Sequence, residues 1–98
     1  MNNIGFLLFN ARKSNSLTLK EVSNKSGIDF TLISKFEKRE RIPSIQHLET
    51  LSNIYRIDLD KLIIASYSDK VYEQIKHFDF ASDILKVAEK KIDYNKTR

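Results

Sequence analysis

The sequence predicts an all-α chain, and three observations carry that prediction. Two glycines and one proline in 98 residues leave little to break helices or build long loops. Apolar residues recur at helical spacing along most of the chain. The stretch Leu17 to Phe36, LTLKEVSNKSGIDFTLISKF, reads as two short helices hinged at one glycine.

The first helix is expected from Asn3 to Ser14, with Ile4, Leu8 and Ala11 facing a core. Phe6, Leu7 and Phe9 are surplus apolar residues on that helix and imply a second burial partner. The apolar run Ile4–Phe9 is short, lacks a basic leader and passes straight into Asn10, Arg12 and Lys13. Neither a signal peptide nor a membrane span is expected.

Thr18 followed by Glu21 is a capping box opening the second helix, which buries Val22 and ends near Ser26. Gly27 supplies the left-handed residue for a sharp turn. Ile28 plugs that turn, and Asp29 stands where a third helix needs an N-cap. Ser23 is small enough for the two helices to cross closely. Ile33 and Phe36 point inward, so the third helix exposes Phe30, Thr31, Ser34 and Lys35.

The run Lys38-Arg39-Glu40-Arg41 follows as a charged loop closed by Ile42-Pro43. Ser44 caps a fourth helix that buries Leu48, Leu51 and either Ile54 or Tyr55, with His47 on its surface. Asp58 caps a short fifth helix carrying Leu59, Leu62 and Ile63. From Ser68 to Tyr94 two further helices are expected. Asp69 caps the first, with Val71, Ile75 and Phe78 in one stripe. Asp79 or Ser82 starts the second, with Ala81, Ile84, Leu85, Ala88 and Ile92 on its apolar face. Asn95 to Arg98 reads as a frayed end.

This order of landmarks resembles the lambda-repressor and Cro-like helix-turn-helix family of DNA-binding domains. The matching residues are Ile4-Gly5, Arg12-Lys13, Leu17-Thr18, Glu21-Val22, Gly27-Ile28 and Ile33-Ser34-Lys35. They continue through Glu37, Arg41, Pro43-Ser44, Leu48, Leu51 and Ile57 to Leu62. The apolar stripes after residue 66 read as a two-helix C-terminal extension over 67–98 that dimerises or binds a partner. The resemblance covers the rest and implies a five-helix lambda-repressor-like DNA-binding domain over residues 1–66. It also implies that Arg12 pairs with Glu37, and that Phe30, Thr31, Ser34 and Lys35 meet base edges in the major groove. DNA phosphates are expected at Thr18, Lys20, Lys38, Arg39 and Arg41. Two departures stand out. Leu19 replaces a common glutamine of the backbone clamp, and Arg39 stands where the family often has glycine.

Composition agrees with such a partner. The net charge is +4, with most of the excess before residue 66, which suits a polyanion. With no cysteine there is neither a disulfide framework nor a thiolate metal site. No phosphate-binding glycine loop, HExxH element or convergent acid pair supports an enzyme, and no metal or cofactor is expected. The implied function is a sequence-specific transcriptional regulator, a repressor binding a two-fold operator as a homodimer, in a bacterial or phage-derived cytoplasmic setting. Two alternatives stay open: an antitoxin or other interaction module acting through the tail, and a restriction-modification controller.

Overall fold

The computed structural model describes residues 3–96. Six helices follow one another: α1 (Ile4–Ser14), α2 (Leu19–Ser26), α3 (Phe30–Glu37), α4 (Ile45–Tyr55), α5 (Leu59–Ile75) and α6 (Ala81–Lys96). No strand occurs among the described residues, and no helix is long and apolar enough to cross a membrane.

The first five helices close around one core. Ile4 and Leu8 of α1 meet Val22, Ile28, Ile33 and Phe36 of the hinged pair, with Leu48, Leu51, Tyr55, Leu62 and Ala65 beneath. Each large side chain withdrawn from water contributes roughly 1.5–3 kcal/mol, so this cluster is what holds the short helices in place. Local chemistry sets where they start. Asn3 accepts from the Phe6 amide, Thr18 and Glu21 form their reciprocal box, and Ser44 does the same with His47. The His47 ring is half-buried and lies 5.2 Å from that of Phe36, so this residue is a cap and a packing element together. Asp29 occupies the N-cap position of α3, but its carbonyl, and not its side chain, receives the first helical bonds.

The chain departs from its expected outline at α5. The short fifth helix and the first tail helix are one helix, running unbroken past residue 66. Ile63 to Ser68 contains neither glycine nor proline to stop it. Fully buried Ser66 lets this helix lie close to its neighbours. Asp69 therefore caps nothing in its own helix. Its carboxylate instead accepts the Ile4 amide at 2.9 Å, satisfying one of the orphan donors at the start of α1.

Phe78, expected on the stripe of that helix, lies beyond its end and stacks on Phe80 at 5.2 Å. The Phe80 carbonyl, rather than Asp79 or Ser82, receives the first bonds of α6. Asn95 and Lys96, expected in a frayed end, belong to α6; positions 97 and 98 lie outside the described residues.

The surplus apolar residues of α1 divide. Leu7 packs against the core, whereas Phe6 and Phe9 stay 50% and 41% exposed. The Phe9 ring carries the Arg12 and Lys13 cations at 5.4 and 5.6 Å. Within the chain, the tail helix that packs on α1 is α5.

Candidate nucleic-acid interface

The alternation of apolar and polar residues in α3 divides its surface. Ile33 and Phe36 are buried, and Phe30, Thr31, Ser34 and Lys35 form the opposite stripe, with Ser34 half-buried and the others exposed. Phe30 is 53% exposed, so its ring lies open on that face and is not folded into the core.

This stripe is held at both ends. Ahead of α3, Gly27 adopts φ +76 and donates its amide to the Ser23 carbonyl, while the Ser26 hydroxyl accepts from Ile28. Behind it, the Arg12 guanidinium grips both oxygens of Glu37, through Nε at 2.8 Å and NH2 at 3.0 Å. Its third arm donates to the Leu17 carbonyl at 3.0 Å. Both side chains are over nine-tenths buried. The hydrogen bond to Glu37 holds the guanidinium pKa above its usual value, against the cost of burial. One arginine thus ties α1, the residue leading into α2 and the end of α3 together. A buried pair of this kind is a geometric fixture more than a source of net stability.

Gly5 completes the clasp. A Cβ there would come within 2.7 Å of the Glu37 carbonyl oxygen, so only glycine lets α1 approach the end of α3 this closely. Beyond Glu37 the chain forms a Schellman turn. The Glu40 amide donates to Lys35 at 2.9 Å and the Arg39 amide to Phe36 at 3.2 Å. Arg39 sits at its left-handed position with φ +64, the conformation for which glycine is usual.

The basic and hydroxyl residues expected to face phosphates fall on two sides of the stripe. Thr18, Lys20 and Phe30 line one open groove of about 680 Å³ with Lys13 and Asn24. The Thr18 amide donates to the Glu21 carboxylate at 2.9 Å. These hydrogen bonds from Thr18 keep the Glu21 carboxyl below the usual carboxylate range. Leu19 is half-buried in the core edge. Lys38, Arg39 and Arg41 line a second open groove, of about 500 Å³, whose far wall is α5.

Lys13, whose sequence position alone carries no role, lines the first groove with Thr18, and Asp69, expected to cap a tail helix, bonds the Ile4 amide instead. A cation three turns along an amphipathic helix is visible in sequence, but its neighbours are not. A helix-turn-helix family model matches residues 8–62, more than half of the chain. No curated protein and no solved structure matches it.

Proposed function

Because the chain belongs to the helix-turn-helix family, of the lambda-repressor and Cro-like type, we propose that it is a sequence-specific transcriptional repressor binding a two-fold operator as a homodimer. DNA-binding regulation is the activity of this family. The observation that carries the finer reading is the exposed stripe Phe30, Thr31, Ser34 and Lys35 on a helix fixed by the Arg12–Glu37 clasp. In this reading α3 enters the major groove. Lys35 reaches guanine acceptors, and Phe30 and Thr31 contact thymine methyl groups. Thr18 and Lys20 meet phosphates on one flank, and Lys38, Arg39 and Arg41 meet them on the other. The protein acts in the cytoplasm of a bacterial host.

The homodimer reading rests on the far half of α5 and on α6. Tyr67, Val71, Tyr72, Leu85, Val87 and Ile92 are exposed there, and no residue of α6 is buried. Tyr67, Val71, Ile75, Ala81 and Leu85 line an open, mainly apolar groove of about 630 Å³ between the two helices. A single aromatic side chain can bury about 150–250 Å². A stable interface needs roughly 800 Å² per partner, and a second copy laying the same apolar residues against these would contribute to it from both sides. A second copy would also hold two recognition helices about 34–36 Å apart, as a two-fold operator needs.

Sedimentation of the whole chain, with Val71→Lys and Leu85→Lys, tests this. The wild type should be dimeric and the variants monomeric, with binding to a full operator weakened far more than binding to a half-site. Variants that remain dimeric and bind as before would move the tail toward a different protein partner, as in an antitoxin.

A further inference from the structure

The groove between the α3–α4 loop and α5 contains more than the loop's own cations. Lys38, Arg39 and Arg41 form one wall, and α5 with its C-cap residue contributes Asp69, Tyr72, Glu73 and Lys76 to the other. Its two carboxylates are already engaged. Asp69 receives the Ile4 amide, and Glu73 holds the Lys76 ammonium at 2.8 Å. Lys76 also lies 5.9 Å from the centre of the Tyr72 ring, and its side chain remains 36% exposed. Four cations against two carboxylates leave the groove positive, and both its volume and its open mouth admit a phosphate group.

We propose that this groove seats a DNA phosphodiester, with Lys76 as the cation that α5 adds to those of the loop. The assignment rests on the reading that the loop follows the DNA backbone, and it extends that contact onto the helix leading into the tail. Glu73 is the internal competitor. In the free protein it occupies Lys76, and on DNA the phosphate shares or takes over that ammonium. The Glu73 carboxyl is held below the usual carboxylate range, first by its hydrogen bond to Lys76 and in smaller measure by the charges of His77 and Arg39, so it competes as an anion at neutral pH. A contact of this kind adds affinity and salt dependence but no sequence code. Its consequence is mechanical. The helix that carries the tail's apolar surface also touches DNA, so the position of the tail and the seating of the loop are coupled.

The test is anisotropy titration of the full-length protein against a sequence-selected duplex and a scrambled one, across a series of salt concentrations. Lys76→Gln should weaken binding to both duplexes and lower the slope of log K against log salt by about one unit. Lys76→Arg should restore both. Glu73→Gln should tighten binding to both duplexes several-fold. Circular dichroism of each variant checks that α5 is intact. Arg41→Gln, which flattens the slope under the function proposed above, is the reference. If Arg41→Gln acts and Lys76→Gln does not, the α5 contribution is refuted and the loop reading stands. If neither acts, the loop reading falls and the phosphodiester seat falls with it.

Discussion

The Ile4 amide and the Asp69 carboxylate meet at 2.9 Å across 65 positions of sequence, joining the start of α1 to the outer half of α5. An acid at a helix N-terminus satisfies an orphan amide and lies favourably in the helix dipole. The bond places α5 against the first helix of the DNA-binding unit, next to Gly5 and the Arg12–Glu37 clasp.

Asp69→Ala should therefore cost about 1–2 kcal/mol in urea unfolding, the usual worth of a charge-assisted bond at a partly buried site. Asp69→Asn, which keeps an acceptor oxygen, should recover part of that loss. Unchanged midpoints in both variants would mean that the bond contributes nothing to folding.

Arg39 should separate stability from binding. Its left-handed backbone carries a steric cost of about 1–2 kcal/mol, from which the extra chain entropy of glycine must be subtracted. Arg39→Gly should stabilise the fold by about 0.5–1 kcal/mol while weakening binding to every duplex and flattening its salt slope. Thermal unfolding and DNA titration on the same preparation give both readings.

Tyr55 predicts an alkaline limit. Burial, and then the nearby Glu37 charge, push its phenol from 10.0 up to about 12. Its hydroxyl has no hydrogen-bond partner among the described residues. Because the folded value lies above the unfolded one, the group imposes no cost below pH 10 and then a loss of stability that grows as pH rises through about 12. Its size is on the order of 2 kcal/mol. Tyr55→Phe should be neutral or slightly stabilising at pH 7, and its melting temperature should fall less steeply than that of the wild type between pH 10 and 12.

Most of what could be read from sequence was local. The Thr18–Glu21 box, the Gly27 hinge and the Ser44 cap each involve residues within four positions of one another, and residue type alone nearly determines them. The core positions followed from helical spacing for the same reason. Asp69 shows where that reasoning stops. An acid after a serine reads equally as a cap or as mid-helix surface, and its actual partner lies at the other end of the chain. Gly5 is similar: its need for no side chain comes from the Glu37 carbonyl of another helix. The grooves on either side of α3 are likewise tertiary, since they depend on which loop faces which helix.

In the function proposed, α3 reads base edges while its flanks hold phosphates. Selection of duplexes from a randomised pool, by the wild type and by Lys35→Ala, tests it most directly. The wild type should enrich a two-fold sequence with half-sites about one helical turn apart. Lys35→Ala should lose preference at one position in each half-site, at a cost of about 1–3 kcal/mol of discrimination. A wild-type pool with no enriched sequence, or identical enrichment by the variant, would contradict it.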